Sequence, residues 1–262
     1  MNQEKIPREK SLAKNSPTEI QFLEGPQSRW KDFKYAVSVF FEFIKGFRAL
    51  HFVGPCVTIF GSARFKEDHH SYKQARKLAG EIAKLGFTIM TGGGPGIMEA
   101  ANRGARDVGG RSVGCNIILP HEQSHNRYLD RWVNIKYFFV RKSLLIKYSY
   151  AFIVMPGGFG TLDEFYESLT LVQTNKIEMF PIIIWDKNFY EKVLEHNRRM
   201  IEEGTISPLD KNLYLVSDSI EETINFLKEK SIRAFGLKYM KPKTAYKGLL
   251  EKSLNRAFDH DF

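Results

Sequence analysis

Cysteine is scarce in this chain, which argues against two kinds of stabilising site. Only Cys56 and Cys115 occur among its 262 residues. Their spacing fits neither a disulfide framework nor a cysteine-rich metal site, and each lies in an apolar, strand-like segment. We therefore expect two buried, reduced thiols, and we assign them no chemistry.

Long apolar segments are lacking as well. No stretch approaches the roughly 20 residues that a membrane-spanning helix requires. Residues 1–19 are polar, without the apolar segment that follows the basic start of a secretory signal. The 43% hydrophobic content is nevertheless ample for a sizeable core. We expect a globular protein that stays in the cytoplasm.

The charge balance is strongly basic, with a formal net charge of +9 and an isoelectric point near 9.4. Such a balance is typical of proteins that bind nucleic acid and also of proteins that handle phosphates. The sequence has no zinc-finger spacing, no RNA-binding aromatic motif and no dense basic run. We therefore disfavour a DNA-processing or RNA-binding role.

The chain divides into four predicted segments. Residues 1–28 are polar, residues 29–50 form an amphipathic helix, residues 51–231 form the main domain, and residues 232–262 form a basic tail. The helix carries an apolar stripe at helical spacing, made of Trp30, Phe33, Val37, Phe40, Phe41, Ile44 and Phe47. The stripe has two interpretations, docking on the main domain or contact with a second subunit.

The main domain alternates short apolar strands with helices. The predicted strands are 56–60, 87–90, 112–119, 133–138, 151–155 and 181–185. Helices are predicted near Pro95 and at 71–85, 140–149, 162–175, 189–203 and 220–230. This alternation predicts an α/β, Rossmann-like doubly wound parallel sheet with helices on both faces. Ligands of such sheets bind at the carboxyl ends of the strands.

Three glycine-containing turns, at 61–64, 92–98 and 156–161, directly follow predicted strands. Because the strands are parallel, all three turns open on the same edge of the sheet. Glycine lets the backbone approach a ligand, and the helix that follows directs unpaired N–H groups at an anion. We therefore predict a phosphate-binding edge. The second turn lacks the Lys-Ser/Thr ending of a P-loop, and strand 112–119 lacks the acidic residue that holds a dinucleotide ribose.

Acidic residues follow the third turn. Asp163 and Glu167 have a simple explanation, because carboxylates stabilise the start of a helix. Glu164 lies three residues after Thr161 and therefore on the same side of the helix, facing the ligand of the turn.

Two basic residues, Arg141 and Lys142, open the helix before strand 151–155. Cations at a helix start oppose its dipole. Their position therefore indicates an anionic or carboxylate partner, the alternative being two solvated charges.

Histidines offer two further patterns that we interpret as structural. Residues 121–125 read His-Glu-Gln-Ser-His, but they follow a strand and a proline, whereas the zinc-peptidase motif requires a helix. His69 and His70 precede a helix and are interpreted as capping or solvated side chains. We predict no metal site.

Four segments together resemble the LOG family, long labelled "possible lysine decarboxylase". They are GGGPGIMEAANRGA (92–105), LPHEQSHNRY (119–128), YFFVRK (137–142) and PGGFGTLDE (156–164). The resemblance covers residues 50–230 and is strongest to the longer bacterial members. The paired Arg-Lys and the PGGxGTxxE element are its most specific parts.

The resemblance implies an activity and residue roles. Family members with an assigned activity split a nucleoside 5′-monophosphate, including cytokinin ribotides, into free base and ribose 5-phosphate. Arg141 and Glu164 match the residues taken to be catalytic, and Lys142, Gly158 and Thr161 match residues required around them. No lysine has a pyridoxal phosphate setting, so the decarboxylase label has no chemistry behind it here, and we expect no cofactor.

From these matches we expect Glu164 to stabilise oxocarbenium charge and activate water, while Arg141 positions Glu164 or holds ribose hydroxyls. The expected substrate- and phosphate-binding residues are Gly61, Ser62, Gly93, Gly94, Gly96, Met98, Lys142, Gly157, Gly158, Gly160 and Thr161. The family also suggests a homodimer or larger assembly. The main alternative is a nucleotide or molybdenum-cofactor carrier that shares this type of fold without hydrolysis.

Overall fold

The computed structural model describes residues 28–119 and 125–237. Seven parallel strands form one sheet in the order β4-β3-β2-β1-β5-β6-β7. The strands are β1 (Cys56–Phe60), β2 (Thr88–Thr91), β3 (Ser112–Ile117), β4 (Arg131–Ile135), β5 (Ser149–Val154), β6 (Ile182–Trp185) and β7 (Leu215–Ser217). The helices are α1 (Arg29–Leu50), α2 (His70–Lys84), α3 (Ile97–Asp107), α4 (Phe138–Tyr148), α5 (Phe159–Gln173), α6 (Glu191–Glu202) and α7 (Ile220–Leu227).

The strand order creates a switch point beside β1. The chain builds outward from β1 to β4, then returns to place β5 on the other side of β1. The two strands end in register, with Phe60 opposite Val154. Connections leave β1 and β5 in opposite directions, so a crevice opens between their carboxyl ends, where such sheets bind ligands. The predicted doubly wound parallel sheet is confirmed.

Two hydrophobic clusters cover the two faces of the sheet. The side chains of β1 alternate between them: Cys56 and Phe60 join the cluster under α1, α4 and α5, while Val57 and Ile59 join the cluster under α2 and α3. Every residue of β1 is buried. A strand buried on both faces reads as a continuous apolar run, which is how the sequence predicted it.

Helix α1 has two apolar faces, and of the predicted stripe only Phe47 packs against the main domain. Six residues of that stripe are exposed, namely Trp30, Phe33, Val37, Phe40, Phe41 and Ile44. The buried face contains Glu42, Gly46 and Leu50, with Phe43 and Phe47 packed against the core. The docking interpretation is therefore wrong for these six residues.

Polar contacts and a small residue explain why the other face of α1 docks. The Glu42 carboxylate accepts a hydrogen bond from the Lys136 amide at 2.9 Å. A side-chain carbon at Gly46 would meet the side chain of Leu144, so a residue without a side chain permits the close helix contact. Hydrophobic spacing alone could not distinguish the two faces.

Two details differ from the sequence predictions. The strand predicted at 133–138 ends at Ile135, and α4 begins at Phe138, because the half-exposed Phe138 and Phe139 belong to a helix start. The three-residue strand β7 was not predicted. The predictions for residues 1–27, for the histidine pattern at 121–124 and for residues 238–262 concern positions outside the described residues. Among the described helices, none has the length and apolarity to cross a membrane.

Candidate active site

The three glycine turns meet at the carboxyl edge of the sheet, as predicted. The amide of Ser62 donates to the carbonyl of Pro156, and the amide of Ile97 donates to the carbonyl of Ser62, both at 2.9 Å. Gly96 has a φ of +69° and lies so close to Ser62 that a side chain there would collide with its carbonyl oxygen. Backbone-to-backbone packing thus joins the turns into one surface.

Three polar residues that the sequence interpretation missed fix the second turn. The Thr91 hydroxyl accepts from the Gly93 amide at 2.9 Å and donates to Asn102 at 2.7 Å. The Asn126 side-chain amide donates to the carbonyls of Gly93 and Gly94 and to Asn102, at 2.9 to 3.2 Å. Asn102 lies mid-helix, where asparagine is a poor helix former, and that was the signal available.

The third turn presents unpaired backbone amides at the start of α5. The amides of Gly158, Phe159 and Gly160 donate to no acceptor in the part of the chain that the structure describes. Nothing lies within 4 Å of the positions that side chains at Gly158 and Gly160 would take. Open space in front of free N–H groups at a helix start suits a phosphate.

Glu164 is a buried carboxylate beside this turn. Its side chain is 3% exposed, and its Oε1 lies 3.8 Å from Nη1 of Arg141. Its Oε2 has no hydrogen-bond partner among residues 28–119 and 125–237. Burial raises the pKa of Glu164 from its usual 4.5 to about 7, against the opposing effect of Arg141 and Lys142. A buried carboxyl group that titrates near neutrality is typical of an acid–base site.

Arg141 links the sheet, the second turn and Glu164. Its Nε donates to the carbonyl of Cys115 in β3, at 3.0 Å. Its guanidinium also lies beside Gly92, where an added side chain would approach Nη2 and the sulfur of Met98 to 2.7 Å. Because Arg141 is held by a backbone carbonyl, it has guanidinium donors left for Glu164 and a ligand.

Lys142 faces carboxylates. Its ammonium lies 2.8 Å from Asp163 and 2.8 Å from Glu167, both on α5. The prediction that the basic pair needs an anionic or carboxylate partner is thus met within the protein. Whether Lys142 also contacts the substrate or its phosphate stays a prediction.

His69 and His125 make contacts that stabilise the fold. His69 caps α2 by accepting from the Ser71 amide at 3.2 Å, as predicted. His125 stacks on Trp132 with the ring centres 3.8 Å apart. Within the described residues, no group of three His, Cys, Asp or Glu side chains could hold a metal ion. Whether the site works without metal or cofactor stays a prediction.

Comparison with known proteins gives a family match. The model of the family described as "Possible lysine decarboxylase" matches residues 98–227. A cytokinin riboside 5′-monophosphate phosphoribohydrolase of Arabidopsis thaliana is 27% identical over 64% of this chain and 79% of its own length. The enzyme of the same name from Rhodococcoides fascians is 27% identical over 64% of this chain and 86% of its own. The resemblance to the LOG family is confirmed.

A solved structure shows the same fold. The molybdenum cofactor carrier protein of Chlamydomonas reinhardtii superimposes with a TM-score of 0.50 and 20% identity, over 67% of this chain and 97% of the carrier. At this identity the likeness concerns the fold alone, because one fold supports many functions.

Proposed function

We propose that this relative of the LOG family is a phosphoribohydrolase, which hydrolyses the N-glycosidic bond of a nucleoside 5′-monophosphate to free base and ribose 5-phosphate. One observation carries the proposal. Glu164, a buried carboxylate with a raised pKa, lies beside Arg141 at the edge where the unpaired amides of α5 offer an anion site. A carrier needs the anion site but has no use for the carboxylate.

The chemistry assigned to Glu164 follows from the charge that develops in the reaction. As the bond from C1′ to the base nitrogen breaks, the electron pair leaves with the base and the ribose becomes oxocarbenium-like. The ionised Glu164 stabilises that charge and takes a proton from the water that forms the new C1′–O bond. A pKa of about 7 makes Glu164 a competent base near neutral pH.

Arg141 keeps this carboxylate productive. The separation of 3.8 Å from Glu164 is long for a hydrogen bond, so Glu164 is electrostatically supported while its oxygens stay free for water and ribose. The hydrogen bond from Arg141 to Cys115 fixes the guanidinium on the sheet. Its remaining N–H groups are then available to ribose hydroxyls.

Phosphate binding gives the preference for nucleotides over nucleosides. We assign the 5′-phosphate to the amides of residues 158–160 and the ribose and base to the second turn, with Met98 near the base. Binding energy gained at the phosphate, remote from the reacting bond, is available to hold C1′ against Glu164. Nucleoside monophosphates are cytoplasmic metabolites, consistent with the location expected from the sequence.

The exposed stripe of α1 supports a homo-oligomer. Trp30 and Phe41 are 65% and 62% exposed, more than a soluble surface usually presents in one continuous strip. Light scattering after size exclusion should show at least a dimer, and replacing Phe40 and Phe41 by serine should shift it towards monomer. A monomeric wild-type protein would rule out this assembly.

The activity itself is tested with a substrate panel. Purified protein is incubated with AMP, GMP, CMP, UMP and isopentenyladenosine monophosphate, and with the matching nucleosides, while free base is followed by chromatography. We expect base from at least one monophosphate and far less from its nucleoside. Tight binding of a monophosphate without any release of base would instead favour the carrier function.

A further inference from the structure

We propose that Lys142 is a positioning residue that clamps α5 to α4 and balances the charges around Glu164, and that it does not bind the substrate phosphate. The inference deepens the proposed function and rests on it for its kinetic readout. It replaces the sequence-based expectation that Lys142 binds substrate or phosphate.

The surroundings of the Lys142 ammonium disfavour an anionic ligand. Lys142 lies 2.8 Å from Asp163 and 2.8 Å from Glu167, and its side chain is only 16% exposed. The ammonium donates a hydrogen bond to Asp163, and it forms an ion pair with Glu167. With one positive and two negative charges, the cluster repels an incoming phosphate.

The placement of the two carboxylates makes Lys142 necessary. Asp163 and Glu167 lie four residues apart on α5, so they occupy the same side of the helix and repel each other without a cation between them. Glu164 adjoins Asp163 in the sequence. The Lys142 contacts thus bind the first turns of α5 to α4, beside the 3.8 Å contact between Arg141 and Glu164.

The charges that face Glu164 come from both helices. Arg141 and Lys142 on α4 favour its ionised form, whereas Asp163 and Glu167 on α5 oppose it. The Cys115 thiol on β3 is also near Glu164, but burial raises its pKa to about 12, so it carries no charge in this pH range. Without Lys142, two carboxylates would be uncompensated and the pKa of Glu164 would rise. Without Glu167, the pKa of Glu164 would fall.

The experiment compares four variants. Lys142→Met removes the charge, Lys142→Arg retains it, and Glu167→Gln removes one opposing carboxylate. Lys147→Met is the matched control, because Lys147 lies on the same helix and contacts the rings of Phe47 and Tyr148. For each, kcat/KM is measured against pH, ribose 5-phosphate affinity by calorimetry, and Glu164 ionisation by carbon-13 NMR.

We expect the acidic limb of the pH profile to move up in Lys142→Met, down in Glu167→Gln, and to stay in place in the control. Activity of Lys142→Met should fall at least about threefold more at low than at high pH, since each unit of pKa shift changes the ionised fraction about tenfold on that limb. Lys142→Arg should restore the profile. Ribose 5-phosphate affinity should stay within about twofold throughout.

Two results would overturn the inference. One is a loss of ribose 5-phosphate affinity of tenfold or more in Lys142→Met with an unmoved limb, which is the behaviour of a phosphate ligand. The other is shifts of the same sign in Lys142→Met and Glu167→Gln. The NMR and calorimetric readouts need no turnover, so an absent hydrolase activity would refute the proposed function while leaving this test intact.

Discussion

Replacing Glu164 by glutamine should stabilise the folded protein at alkaline pH while abolishing activity. Burial raises the pKa of Glu164 from 4.5 to about 7, so the folded state holds this proton more tightly than the unfolded state. Between these values the folded state binds more protons, and stability therefore falls as pH rises through the window. Well above pH 7 the ionised carboxylate lowers the free energy of unfolding by the full amount that the pKa shift implies. Well below pH 4.5 the carboxyl group is protonated in both states and this destabilisation is absent.

The size of the effect follows from the shift. One pKa unit corresponds to about 1.4 kcal/mol, so ionised Glu164 costs about 3 kcal/mol at pH 8. In a chain of this size, 1 kcal/mol moves the melting temperature by roughly 2–4 °C, which predicts a gain of about 6–12 °C for Glu164→Gln. At pH 5 the carboxyl group is mostly protonated in the folded state, and the gain should fall to about 1 kcal/mol or less, roughly 2–4 °C.

The assay is thermal unfolding of wild type, Glu164→Gln and a matched control, Glu202→Gln, across this pH range. Glu202 is exposed at the end of α6, so the control should stay within about 0.5 kcal/mol of wild type at every pH. If Glu164→Gln raised the melting temperature equally at pH 5 and pH 8, or lowered it at pH 8, Glu164 would not be a carboxylate whose ionised form is destabilised by burial.

Three further substitutions separate fold from site. Gly96→Ala should destabilise the fold by more than the roughly 1–3 kcal/mol that a strained backbone alone costs, because the added carbon meets Ser62. The control Gly109→Ala, also at positive φ but with nothing within 4 Å, should show the backbone strain only. Equal losses of stability would contradict the close contact between the turns. Gly158→Ala should keep the melting temperature and weaken ribose 5-phosphate binding in calorimetry, and unchanged affinity would remove the phosphate from this turn. Asn126→Asp should cost about 1–3 kcal/mol and raise KM, unlike the exposed Asn134→Asp control; equal effects in the two variants would deny the buried network a role.

The sequence predicted the sheet and the meeting of the turns because both depend on local patterns. Continuous apolar runs identified β1 and β5, and glycine after each strand placed the turns on one edge. Parallel strands with helical connections then leave few architectures, and the open doubly wound sheet was the one predicted. Arg141 and Glu164 were also predicted as site residues from local patterns. Arg141 is a cation at a helix start, where it opposes the helix dipole, and Glu164 lies on the same side of its helix as Thr161.

Other features depend on contacts distant in the chain, which periodicity does not encode. The docking face of α1 is chosen by Glu42 and Gly46, whose partners lie about 100 residues later. The network of Asn102 and Asn126 joins a helix to a loop, and neither residue belongs to a glycine motif. The carboxylate partners of Lys142 could not be predicted without the distance between α4 and α5.

The most direct test of the central claim is the stoichiometry of product release from a nucleoside monophosphate. Wild type, Glu164→Gln and Glu202→Gln are compared by measuring free base and ribose 5-phosphate in the same samples. The account predicts equal amounts of both products from wild type and from the Glu202 variant, and a loss of at least about a hundredfold in the Glu164 variant. Release that survives the loss of the Glu164 carboxylate, or base without ribose 5-phosphate, would contradict it.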